Sequence, residues 1–122
     1  MAHRVVAPGF ERRDDRGVFR EVVNGFPAQT LLAGTMRGGA VMGNHYHRKT
    51  RLFFHLLSGG ARIRTVHVET GARDELTLGE NQGVFLEPNE SHAIRFLEES
   101  RFVMLKSLAY DPEDPDTYEF PV

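Results

Sequence analysis

The chain has 122 residues, 40% of them hydrophobic, and a formal net charge of -2 from 15 basic and 17 acidic side chains. That is the size of one domain with one core, and the balance lacks the clustered basic excess that a nucleic-acid surface needs. There is no cysteine, so disulfides, thiolate metal sites and a cysteine nucleophile are excluded; a reducing cytoplasm fits, and no signal peptide or membrane-length apolar run is expected.

Helix signals are scarce, because 12 glycines and 6 prolines cut the chain into short segments. Residues 18–23 and 29–35 read as strands. Gly43 then precedes His45-Tyr46-His47. In extended backbone, alternate side chains share a face, so His45 and His47 aim at one point while Tyr46 points away. Such a pair suits a metal clamp or acid/base work. Residues 52–57 form an apolar strand that ends at Ser58-Gly59-Gly60. His55 lies three residues after Leu52, faces the other side, and reads as a structural or interface residue.

Residues 61–68 alternate, residues 73–78 do so weakly, and residues 84–87 end at Pro88. His92 follows as a third imidazole, and residues 93–97 and 102–105 complete the set. His67 is expected on an outer face and His3 to be mobile near the terminus. Arg51, Arg62, Arg64 and Arg95 lie on or beside these strands, most of them expected to face solvent. Residues 111–122, acidic and proline-rich at their start, are expected to run irregularly over the surface. Short strands separated by turn signals indicate a sandwich or barrel.

Gly43-Asn44-His45-Tyr46-His47, followed by an apolar strand ending in Ser58-Gly59, resembles the first motif of the cupin family. Gly83 through Pro88 to His92 resembles the second. Asp14-Asp15-Arg16-Gly17-Val18-Phe19-Arg20-Glu21 looks like the opening of cupins that act on nucleotide-linked 4-keto-6-deoxy sugars, and Tyr110 to Tyr118 like their closing segment. The nearest likeness is to the cupin domain of capsular-polysaccharide sugar epimerases. Deoxysugar 3,5-epimerases and 3,4-ketoisomerases are more distant.

The resemblance implies an all-β fold, the cupin double-stranded β-helix or jelly-roll barrel, as a single domain over residues 1–122. It implies a homodimer that exchanges an N-terminal strand. It makes His45, His47 and His92 ligands of a divalent metal, zinc foremost; a metal-free pocket of neutral histidines is the alternative. Two positions depart from the family pattern. Leu52 stands where the metal-binding pattern has a glutamate, five residues after His47, and Met42 stands where the sugar epimerases carry an arginine.

The implied activity is isomerisation or epimerisation of a nucleotide-linked keto-deoxysugar by proton abstraction next to a carbonyl. Catalytic candidates are His45, His47 and Tyr46; if a metal occupies all the histidines, the base has to be Tyr46 or a carboxylate from a dimer partner. Substrate-binding candidates are Arg16, Glu21, Leu52, Phe54 and Met42, with Arg16 and Glu21 serving this pocket or a dimer partner's. An apolar pocket also suits a secondary-metabolism cupin that cyclises, isomerises or dehydrates an apolar substrate. A third possibility is a non-catalytic small-ligand-binding cupin. In each case the partner is a small molecule, not nucleic acid or a membrane.

Overall fold

The computed structural model describes residues 3–122; Met1 and Ala2, where the expected domain begins, lie outside the described residues. The described residues contain no α-helix, and none of them forms a helix long and apolar enough to cross a membrane. The strands are β1 (Phe10–Asp14), β2 (Gly17–Glu21), β3 (Thr30–Met36), β4 (Val41–Tyr46), β5 (Leu52–Ser58), β6 (Ala61–His67), β7 (Arg73–Leu78), β8 (Gln82–Leu86), β9 (Glu90–Phe96), β10 (Ser100–Lys106) and β11 (Tyr118–Glu119). A four-stranded antiparallel sheet, β3-β10-β5-β8, packs on a five-stranded one, β11-β4-β9-β6-β7. This is the expected all-β jelly roll.

Alternation along the strands sets the core. Leu52, Phe54 and Leu56 from β5 meet Ile63 from β6, Ile94 and Phe96 from β9, and Phe102 from β10. Phe54 stacks on Phe102 at 5.4 Å between ring centroids. Each such fully buried side chain stabilises by about 1.5–3 kcal/mol. Strand β5 is covered on both faces, which is why it reads as an unbroken apolar run. On its other face Phe53 packs against Phe85 at 4.8 Å, and Phe26, from the segment before β3, covers Phe85. His55 shares that face, as its odd spacing from Leu52 requires; it is fully buried, and burial holds its pKa below the ordinary imidazole value.

Three local expectations are corrected. Residues 18–23 were expected as a strand; the strand found is β2, over Gly17–Glu21, and it is half of a hairpin with the unanticipated β1, running from Phe10↔Glu21 to Asp14↔Gly17. Charged residues interrupt β1 and hide its extended character. The tail is not irregular throughout. Beyond Pro115 the backbone regains its N–H donors, and β11 pairs Tyr118 with Tyr46 and Glu119 with His45. Nor is His3 free near the terminus. Its Nδ1 lies 2.7 Å from Asp74 and its Nε2 2.9 Å from Glu90, and these carboxylates, Glu90 foremost, raise its pKa.

Candidate active site

The site is built on a β-bulge. Strand β4 pairs with β9 in one register from Val41↔Arg95 to Gly43↔Ala93, then shifts so that His45 faces His92. Asn44 is the extra residue, with φ 61°, beside Gly43 at φ 102°. Bulges re-aim side chains in this way. Here the shift keeps Met42 inside below the bulge and brings His45 and His47 inside above it. Gly43 is required on two counts: its φ disfavours any side chain, and a Cβ there would run into the carbonyl oxygen of His92.

The imidazole centroids of His45 and His47 lie 5.0 Å apart, those of His45 and His92 4.8 Å, and those of His47 and His92 5.6 Å. One ring nitrogen from each falls within 4.8 Å of the others. They line a cavity of about 180 Å³ whose walls include Leu32, Met42, Leu52, Met104, Lys106 and Thr117. Sites for drug-sized ligands hold roughly 300–1,000 Å³. This one takes a single ring, not a whole sugar nucleotide.

The tail orients His47. Its Nδ1 lies 2.7 Å from the carbonyl oxygen of Asp116. A carbonyl only accepts, so Nδ1 carries the proton and the Nε2 lone pair is left for chemistry. The buried carboxylate of Asp116 receives the backbone N–H groups of Arg48, Lys49 and Thr50 and the Thr50 hydroxyl, at 2.7 to 3.0 Å. Burial pushes its pKa up, but these hydrogen bonds, led by Thr50, outweigh burial and hold it below the usual range.

Burial pushes the imidazoles of His45, His47 and His92 below their ordinary pKa, His92 to about 3. Neighbouring histidines add to this at His45 and His92, and the Lys106 ammonium adds to it at His45 and His47. All three are therefore neutral acceptors at pH 7. Lys106 pairs directly across from Leu52. The position that carries a carboxylate in the metal-binding pattern is thus apolar, and a cation faces it.

Three neutral imidazoles are a suitable donor set for zinc, and His47 has the supporting hydrogen bond that metal-bound histidines ordinarily make. His92 is less well prepared, since its Nδ1 is buried without a hydrogen-bond partner. Lys106 also opposes a second positive charge in the same cavity.

Of the substrate-binding candidates, Met42 and Leu52 line the cavity. Phe54 does not: it faces the same interior but lies deeper, fully buried against Phe96 and Phe102. Tyr46 is also outside the cavity, stacked on Tyr118 at 5.3 Å, because alternation turns it away from its histidine neighbours. Arg16 pairs with Asp14 at 2.6 Å within the hairpin, and neither it nor the exposed Glu21 borders this chain's cavity. Lys106 and Thr117 were not anticipated. A lysine closing an apolar strand looks like its solvent end, and only the pairing with Leu52 reveals its inward side.

The model of the family described as "Polysaccharide biosynthesis C-terminal domain" matches residues 12–118. The chain belongs to that family. Comparison with curated protein sequences gives no match. Among solved structures, the capsular polysaccharide assembling protein CapF from Staphylococcus aureus is 26% identical with a TM-score of 0.73, covering 93% of this chain and 34% of its own. This member of the family therefore spans about a third of CapF's length. A 3,4-ketoisomerase from Helicobacter canadensis has a TM-score of 0.79 at 16% identity, covering 95% of this chain and 89% of its own. ChmJ, a 3'-monoepimerase from Streptomyces bikiniensis in complex with dTDP-quinovose, has a TM-score of 0.79 at 20% identity, with 96% and 68% covered. These likenesses place the family member among cupins.

Proposed function

We propose that the chain is an isomerase or epimerase of cupin type, acting on a nucleotide-linked keto-deoxysugar. One observation carries this: a lysine ammonium and neutral histidines face each other across a cavity the size of one ring. The apolar walls, Leu32, Met42, Leu52 and Met104, suit the methyl group of a 6-deoxysugar better than a fully hydroxylated ring. The family description and the activities named for the ketoisomerase and ChmJ support the same substrate class.

The keto oxygen points to Lys106 and the adjacent C–H to His45. Neutral His45 takes the proton and becomes imidazolium, and Lys106 stabilises the enolate where its charge develops. Returning the proton from His45 to the former carbonyl carbon, while the hydroxyl proton of the first carbon passes to the former keto oxygen, moves the carbonyl. Delivery of a solvent proton to the opposite face of the first carbon, with His45 releasing its own proton to solvent, inverts that centre. A divalent cation held by His45, His47 and His92 would polarise the same carbonyl. The nucleotide part stays outside the cavity.

We also infer a cytoplasmic homodimer. The hairpin leaves Phe10 39%, Val18 37% and Phe19 58% exposed, and β3 leaves Leu31 65% exposed. A second copy covers these residues and brings its own Arg16 and Glu21 toward this cavity. Light scattering should give twice 13.8 kDa; the mass of one chain rejects the dimer.

Solvent deuterium uptake into a nucleoside-diphosphate 4-keto-6-deoxyhexose tests the activity. Uptake at carbon next to the ketone is expected. Thermal stabilisation by the sugar nucleotide without exchange would instead favour a ligand-binding cupin. Stabilisation by apolar carbonyl compounds alone would favour the secondary-metabolism alternative, which the apolar walls also suit.

A further inference from the structure

We propose that the outer face of β4, β9 and β6 binds a phosphate-bearing anion through Arg62, Arg64 and Arg95. Arg62 on β6 sits directly opposite Arg95 on β9, on the face turned away from the core, and Arg64 lies one alternation further along β6. Like charges directly opposite across an antiparallel pair destabilise it. An acidic neighbour would normally relieve this, and the supply is short. Glu75 alone serves both Arg62, at 3.5 Å, and Arg64, at 3.1 Å. Among the described residues Arg95 has no ion-pair partner. The patch therefore holds three cationic side chains against one acidic side chain, on a chain whose formal net charge is -2.

The patch is also concave. The arginines border a recess of about 460 Å³ with Asn44, Val41, Leu97 and Val122, larger than the histidine cavity at about 180 Å³. Asn44 is the bulged residue of β4, and its Oδ1 accepts a hydrogen bond from the backbone of Val122 at 3.0 Å. Its amide N–H donors remain for a ligand. Guanidinium forks match phosphate oxygens two at a time. Arg62 and Arg64, about 7 Å apart along the strand, and Arg95, about 5 Å across it, span a diphosphate better than a single carboxylate. Val41 and Leu97, 50% and 46% exposed, offer an apolar wall for the group that carries the phosphate.

The test is titration of pyrophosphate into the whole chain at about 0.1 M salt, read by NMR of arginine Nε–H groups. Saturating shifts at Arg62, Arg64 and Arg95 are expected, with half-saturation below about 1 mM. The double variant Arg62→Gln/Arg95→Gln should weaken binding at least about tenfold with the amide spectrum otherwise retained. Shifts that stay linear with concentration, or that are unchanged in the variant, reflect charge screening and overturn the site. Shifts confined to the histidine cavity overturn it as well. The recess is separate from the proposed chemistry: His45→Asn should abolish deuterium exchange and leave pyrophosphate binding intact.

Discussion

Asp116 holds His47 by its backbone and the three residues after His47 by its carboxylate. The same residue thus sets the tautomer of an imidazole in the cavity, through a 2.7 Å bond, and caps the turn that leads into β5. A segment near the end of the chain is in this way part of the site.

Replacing Asp116 with alanine should therefore cost on the order of 3 kcal/mol, because buried N–H donors lose a charged acceptor. Asp116→Asn, which keeps an oxygen acceptor, should cost less. Urea unfolding measures both, and an unchanged midpoint for the alanine variant would show that the tail is not anchored there.

Lys106→Met should slow deuterium exchange by about a hundredfold or more while KM changes little, the mark of a group that acts on developing charge. Lys106→Arg should restore part of the rate. A change in KM alone would make Lys106 a binding residue.

Leu52→Glu places a carboxylate in the cavity five residues after His47, across from Lys106. Zinc affinity should rise at least about tenfold, measured by competition with a coloured chelator. No change would mean that the three imidazoles do not converge on a metal.

The metal-free protein should lose stability on mild acidification. His92 has a pKa of about 3 when folded, against 6.5 as the ordinary value. The unfolded chain then binds a proton that the folded chain refuses, so folding is unpenalised above pH 6.5 and increasingly penalised as pH falls toward 3. From about pH 7.5 to about pH 5 this single group costs about 2 kcal/mol. His3, whose pKa is raised by its two carboxylates, acts in the opposite sense. Urea midpoints at the two pH values for the parent and His92→Asn check this, since the variant should show a flatter dependence.

Much of this site is legible in the sequence, and the illegible parts share a cause. Alternation alone turns Tyr46 away from His45 and His47, and it puts His55 opposite Leu52. Glycine and proline mark where the motifs begin and end. Alternation does not report depth, so Phe54, on the same side as Leu52, looks like a wall of the cavity although it is packed below it. Nor does it report which strand lies across from which. Lys106 gains its meaning only beside Leu52, and Asp116, in a stretch full of charge and proline, only beside Thr50. Both relationships join residues more than fifty positions apart, a separation over which local pattern carries no information.

The extra residue in β4 has a genetic corollary. Above Asn44 odd-numbered positions face the interior, and below Gly43 even-numbered ones do. If β4 ran straight through Asn44 with no bulge, unbroken alternation from Met42 would present Tyr46 and Arg48 to the cavity and turn the histidines toward solvent. The site therefore depends on the parity of this strand as much as on the imidazoles it carries: a one-codon insertion between Asn44 and His45 should empty the cavity of His45 and His47, whereas a deletion of Asn44 itself should keep both inward.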